Sequence, residues 1–364
     1  VDPRNNRFTK EKAKNIKWVA RLGSQSYGNA VIANGKVYAG TNNGGGFLKR
    51  YPVTVDLGCL LCFDEADGHL LWQHSSEKLP TGRVHDWPMQ GICCAPLVDG
   101  DRLWFVTSRG EVLCLDTEGF RDGEDDGPVQ GEWARQFDLV RKEDPNEDRV
   151  GPAIQALSAG KLHEAAVKEF DKLGIALPAD VQVKTDDAGK KWSFAAKTGG
   201  AERQYQARLE GTKLAFYRKL TTDDKDEADV VWRLDMMREL GVSQHNMCSC
   251  SVTAAGDLLF VNTSNGVDDG HVNLPAPTAP SFIAVNKHTG KVLWTDASPG
   301  TNVLHGQWSS PAYGVIDGQA QVLFGGGDGW LYSFDPAGDS QGKSKLLWKF
   351  DANPKESKYA LAGK

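Results

Sequence analysis

Residues 281–294 read SFIAVNKHTGKVLW: alternating apolar residues, an Asn, a glycine turn, a second apolar run and a closing Trp294. The same phrase runs through CLLCFDEADGHLLW (59–72), which closes at Trp72, and through GGGDGWLYSFDPAG (325–338), which leads to LLWKF and Trp348. Each is preceded by a matching opening: AVIANGKVYAG (30–40), SVTAAGDLLFVNTSNG (251–266) and SPAYGVIDGQAQVLF (310–324). A fourth copy is APLVDGDRLWFVTSRGEVLCLDTEG (95–119), for which Trp133 is the expected closing residue. Period-two alternation, with turns at Asn34-Gly35, Asp99-Gly100, Ala255-Gly256 and Asp317-Gly318, predicts four antiparallel strands per copy. A single such unit cannot bury both its faces, so the units are expected to stack around an axis as propeller blades.

The tryptophans set the spacing. Trp18, Trp72 and Trp133, and then Trp232, Trp294 and Trp348, follow one another at blade-sized steps of roughly 54–62 residues. An indole near each outer strand is expected to pack across the boundary between units, and burying it contributes roughly 1.5–3 kcal/mol. The long step from Trp133 to Trp232 carries no repeat. Within it, residues 151–174 have helix-spaced apolar positions ending at a glycine, and 181–220 break into short alternating strands. The expected organisation is therefore two blades over 1–133, an α+β insertion over 134–228 and two further blades over 229–364. An excursion of that length usually serves a function or a partner.

Composition narrows the function classes. Forty glycines, eleven tryptophans and only four methionines suit a turn-rich all-β protein. The net charge of -6, with both signs interspersed, supplies no basic stripe for phosphates, which argues against nucleic-acid binding. The apolar runs have strand length, short of the roughly 20 residues that a spanning helix needs, so no transmembrane segment is expected. No signal peptide precedes Val1, and a mature or trimmed exported chain would look the same. The seven cysteines are an odd number without the paired spacing of a zinc site, so at least one is expected to be free or bonded elsewhere. Cys59 and Cys62 lie three apart on a predicted strand and point to opposite faces, against a shared ligand or redox role.

From Trp232 onward the phrases W-x-L-D-M, N-T-S-N-G, K-H-T-G-K-V-L-W and G-G-D-G-W-L-Y-S-F-D resemble the PQQ-like repeat family. That family includes quinoprotein alcohol dehydrogenases and the outer-membrane assembly propeller lipoprotein. The resemblance implies a ring of seven or eight blades, with four in this chain and the remainder from a missing segment or a second chain. It also implies an extracytoplasmic, periplasmic location. In the quinoprotein enzymes a vicinal cysteine pair abuts pyrroloquinoline quinone, and Cys93-Cys94 stand at the matching strand. Asn265 falls where an asparagine binds the catalytic Ca2+. The expected general-base aspartate is replaced by HGQWSSP, which places His305 and Gln307 in its neighbourhood, and the Gly-Ala-Glu calcium segment is absent. Without that carboxylate, the quinone lacks its proton acceptor.

Three further clusters bear chemistry. In RDGEDDGPVQGE, Asp122, Glu124 and Asp126 alternate before Gly127 like the first half of an oxygen-ligand Ca2+ loop; the bland alternative is a solvated acidic turn. SQHNMCSC gathers His245, Asn246, Cys248 and Cys250; with a single histidine present, the cysteines read better as buried fillers than as metal ligands. The long loop NGVDDGHVNLPAPTAP carries Asp268, Asp269 and His271, and with His305, Trp308 and Trp330 it marks the mouth of the third and fourth units as the expected ligand or partner surface. The leading expectation is an exported binding or scaffold propeller for a protein or small-molecule partner. The rivals are a divergent quinone-dependent dehydrogenase and a glycan-binding propeller.

Overall fold

The computed structural model describes residues 14–48, 50–129, 137–142, 150–162, 175–176, 181–186, 189–198, 201–219 and 226–353. Two compact units emerge: one takes Val1–Gln130 with Lys225–Lys364, the other Gly131–Asp224. In the first unit the described residues form four four-stranded antiparallel sheets. The first is Val31–Ala33, Lys36–Asn42, Leu57–Asp64 and Leu70–Glu77; the third is Thr253–Ala255, Leu258–Asn262, Phe282–Asn286 and Val292–Asp296. The fourth is Ala312–Ile316, Gln319–Gly325, Trp330–Phe334 and Leu346–Asp351.

The second sheet corrects the expected boundaries. Leu97–Asp99, Arg102–Val106 and Glu111–Asp116 are completed by Val230–Asp235, which pairs antiparallel with Glu111–Asp116. The closing tryptophan of this sheet is thus Trp232, opposite Cys114; Trp133, expected in that role, lies outside the described residues. The excursion therefore interrupts the second sheet between its third and fourth strands instead of separating two finished blades. A sheet tolerates this because only the edge strand arrives late, and its ladder partner is already in place.

Turn chemistry explains the hairpins. Asn34-Gly35 and Asp317-Gly318 both have positive φ at each residue, the type I′ geometry. In the second and third sheets the turns are Gly100-Asp101 and Gly256-Asp257, one residue later than expected, with positive φ at the glycine alone, as in type II′.

One device joins consecutive sheets. Trp18 Nε1 donates to Glu65 O at 2.8 Å, Trp72 Nε1 to Thr117 O at 3.0 Å, Trp232 Nε1 to Lys287 O at 3.0 Å and Trp294 Nε1 to Pro336 O at 2.9 Å. Each accepting carbonyl follows an Asp or Asn (Asp64, Asp116, Asn286, Asp335) whose side-chain oxygen takes the N–H two residues on. Each turn then reaches a glycine with positive φ, and a Cβ on Gly68, Gly119, Gly290 or Gly338 would stand 2.5–3.0 Å from the docked indole. Every closing strand of the four sheets also shifts register beside its tryptophan. Trp18 docks on the first sheet as the tryptophan of a preceding sheet would. Trp348 departs from the pattern: it is 38% exposed and donates to Gln321 Oε1 at 2.7 Å, inside its own sheet.

The core follows from this stacking. One buried cluster runs through the first three sheets, including Tyr38, Trp72, Trp104, Leu113, Trp232 and Ile283; another joins the third and fourth through Phe260, Phe282, Trp294, Phe324 and Phe334. Cys62 lies in the first cluster and Cys59 in a separate one beside Trp18 and Phe47, in keeping with their opposite orientation.

In the second unit, Lys184–Asp186, Lys191–Thr198, Ala201–Glu210, Lys213–Lys219 and Phe137–Lys142 form one antiparallel sheet. Ala153 and Leu157 of the helix Val150–Ser158 pack in a cluster with Trp192, Tyr205 and Phe216. The helix closes at a left-handed C-cap, where Gly160 has φ 80° and Lys161 N–H returns to Ala156 O at 2.8 Å; residues 163–174 of the expected helical stretch lie outside the described residues.

Candidate functional site

Three loops of the first unit close on one another. Gln244 and Asn265 form a lone antiparallel bridge, His245 N–H donates to Ser264 O at 3.0 Å, and Gly266 N–H donates to Ser243 O at 2.9 Å. Val267 N–H then donates to His305 O at 2.9 Å. The segment before the third sheet, the long loop inside it and the segment before the fourth sheet are thereby sewn together. Gly266 permits the approach, since a Cβ there would stand 2.6 Å from His305 O and 2.7 Å from His245 Cβ.

The closure brings three imidazoles together at tilted and edge-on angles. Ring centroids lie 4.8 Å apart for His245 and His271, 4.5 Å for His245 and His305, and 4.8 Å for His271 and His305. One nitrogen of each lies within 4.8 Å of the others. His245 is 1% exposed, whereas His271 and His305 reach solvent. Trp308 flanks the group, its ring 5.2 Å from His305 and its Nε1 donating to His245 O at 3.1 Å. Burial holds His245 below the ordinary imidazole range; the Val267 carbonyl opposes this, and the neighbouring His305 and His271 reinforce it. His305 is lowered by burial and then by His271.

The remaining predicted residues have other duties. Asn265 is buried: its Oδ1 accepts from Ser243 N–H at 3.1 Å and its Nδ2 donates to Ala276 O at 2.9 Å, so its amide staples the loops at both ends. Gln307 continues the staple, donating to Asn265 O and Ser281 Oγ at 2.9 Å. Asp268 shapes the long loop by accepting from Val272 N–H and Asn273 N–H, which hold its carboxyl below the usual range. Trp330 lies under Lys349, 4.4 Å from Nζ to ring centroid, within the fourth sheet. Cys248 and Cys250 are both buried, with their Sγ atoms directed at Asn262 O.

Cys93 and Cys94 carry free thiols. Cys94 Sγ donates to Val106 O at 3.2 Å; burial pushes it up to about 12 and Cys93 up to about 11, so both are protonated at neutral pH. Among the described residues no hydrogen bond joins either cysteine to Asn265 or His305. Carboxylates of the acidic loop have partners of their own. Asp126 pairs with Arg102 at 2.8 Å and Asp122 Oδ1 accepts from Glu124 N–H at 3.0 Å. Among the described residues, Asp122, Glu124 and Asp126 form no converging set of carboxylates; Asp64, Asp67 and His69 do converge, in the turn on which Trp18 docks. The reading that set His245 aside for want of a second histidine overlooked partners on two other loops. The signal was available only as three histidines in segments bordering the third and fourth units.

Residues 181–349 match a family model described as outer membrane protein assembly factor BamB. No curated protein matches the chain. Among solved structures, BamB from Moraxella catarrhalis is similar at 13% identity and TM-score 0.29, over 92% of this chain and 66% of its own. A quinohemoprotein alcohol dehydrogenase from Comamonas testosteroni is similar at 11% identity and TM-score 0.38, over 93% of this chain and 44% of its own. The chain thus spans less than two thirds of the length of either. No helix among the described residues is long and apolar enough to cross a membrane. With four-stranded sheets, tryptophans docked on Asx-glycine turns and a family match over residues 181–349, the chain is similar to the PQQ-like propeller repeat proteins.

Proposed function

We propose that the chain is an exported propeller that binds a protein or small-molecule partner through the loops bordering its third and fourth sheets. The observation that carries this reading is a surface on a rigid base: Val272, 76% exposed, and Leu304, 42% exposed, stand beside His271 and His305 on loops pinned by Asn265 and Gln307. Apolar and aromatic groups held in place this way suit recognition, because little conformational freedom is lost on contact. The description of the matched family model, an assembly factor, points the same way. The periplasm is the compartment this reading implies. The outer face of Leu346–Asp351, where Leu346, Trp348 and Phe350 are exposed, is where a further sheet from another segment or a second chain adds.

The dehydrogenase reading has less support, because the Asn265 amide is engaged by backbone partners at both ends. The test is cross-linking of wild type and a Val272→Ser, Leu304→Ser double variant in an extract of exported proteins, with a parallel titration of pyrroloquinoline quinone and Ca2+. Loss of cross-linked species in the variant alone, with no quinone uptake, is the expected result. Unchanged cross-links would move the contact to the insertion, and tight Ca2+-dependent quinone binding would revive the dehydrogenase.

A further inference from the structure

We infer that His245, His271 and His305 form a binding site for a divalent transition-metal ion of the Zn2+ class, with one coordination position open to solvent. The inference goes beyond partner binding and holds for the isolated chain.

Two observations independent of the clustering itself point to a ligand. First, His245 Nε2 is buried and has no hydrogen-bond partner. A buried polar nitrogen left without a partner costs about 1–3 kcal/mol, and a metal ion in front of it removes that cost. Second, the tautomers are set for coordination. His245 Nδ1 lies 2.7 Å from Val267 O, and His271 Nδ1 lies 2.9 Å from Asp269 O. A carbonyl oxygen only accepts, so each Nδ1 carries the proton and each Nε2 keeps its lone pair. This backbone anchoring of the second ring nitrogen is the arrangement that orients metal-ligating imidazoles. His271 is placed by a backbone of φ 57°, uncommon for a residue with a side chain.

The donor set selects the ion. Three imidazoles suit Zn2+, Cu2+, Ni2+ or Co2+, whereas Ca2+ and Mg2+ require oxygen ligands. Tetrahedral Zn2+ with Zn–N bonds of about 2.0–2.1 Å needs nitrogens about 3.3 Å apart. The present spread, up to 4.8 Å, closes by rotation of His271 and His305, whose rings reach solvent while His245 stays fixed. With three neutral ligands the ion keeps its full charge, and the open fourth position takes water or a donor from a bound molecule.

The metal-free chain is titrated with Zn2+ by calorimetry and with Co2+ by visible absorption, alongside His271→Ala, His305→Ala and the double variant, with circular dichroism reporting folding. Expected are one ion per chain, the intense visible bands of four-coordinate Co2+, and at least about 100-fold weaker binding in each single variant, beyond the loss typical of an outer-shell partner. Both substituted side chains are solvent-exposed, so these variants keep the fold. A folded wild type that takes up neither ion, or a double variant that binds with unchanged affinity, overturns the inference.

Discussion

Leu70-Leu71-Trp72-Gln73-His74 and Leu346-Leu347-Trp348-Lys349-Phe350 are the same strand written twice, each the fourth of its sheet and each with a register shift beside the tryptophan. In the first copy Trp72 is fully buried, its indole docked on Thr117 and Gly119 of the next sheet, and His74 sits edge-on to Phe105. In the second, Trp348 bonds within its own sheet and Phe350 is 62% exposed. The more apolar side chain is the exposed one. Burial in this architecture belongs to the neighbouring sheet as much as to the strand, because an outer strand covers only one side of what its residues need.

The contrast can be broken most severely at Trp72. Trp72→Ala is expected to destabilise the chain by about 3–5 kcal/mol, the usual cost of a large aromatic cavity, measured by urea unfolding; a loss near 1 kcal/mol would mean that the dock is not what joins the first two sheets. A second test uses pH. Burial, followed by the nearby Arg233 and Arg109, pushes His74 down to about 3 from an ordinary 6.5. The unfolded chain therefore takes up a proton that the folded chain refuses, and stability falls as pH drops from 6.5 toward 3, by roughly 2 kcal/mol at pH 5. His74→Phe, which copies the residue at 350, is expected to flatten that slope. The reciprocal Phe350→His should show an imidazole titrating near 6.5 by NMR.

Gly119→Ala tests the receiving side of the same dock. Its φ of 59° and the Trp72 ring 3.0 Å from the added Cβ predict a loss of about 2 kcal/mol, read from the same urea curves. The smallest effect is expected at Trp348→Ala, under about 1 kcal/mol, because the indole leaves little cavity behind. A large loss there in the isolated chain would show that the fourth sheet is covered in solution.

The repeat was legible because its signals are local. Alternation and turn residues act over a few positions, and they produced the four sheets, with docks for Trp18, Trp72, Trp232 and Trp294. Trp133 misled for the same reason: a tryptophan at the right step looked like a closing strand, but strand pairing across an excursion is a long-range choice, and Val230–Asp235 made it. The site was half legible. His271, His305 and Trp308 were placed on one mouth from the sequence, but His245 was read alone. Asp122, Glu124 and Asp126 had the spacing of a cation loop, yet Arg102 claims Asp126 from across the sheet.

Taken by itself, the sequence determined the strands, the hairpin turns and the Asx-glycine seats for the indoles, since period-two patterning and backbone preference act within a few residues. Only the tertiary structure decided which strand closes the second sheet, which outer strand is covered, and that His245, His271 and His305 share one site. Those outcomes require segments far apart in the chain to meet, and the meeting depends on Gly266, Asn265 and Gln307 closing the loops, a matter of packing that no local pattern encodes.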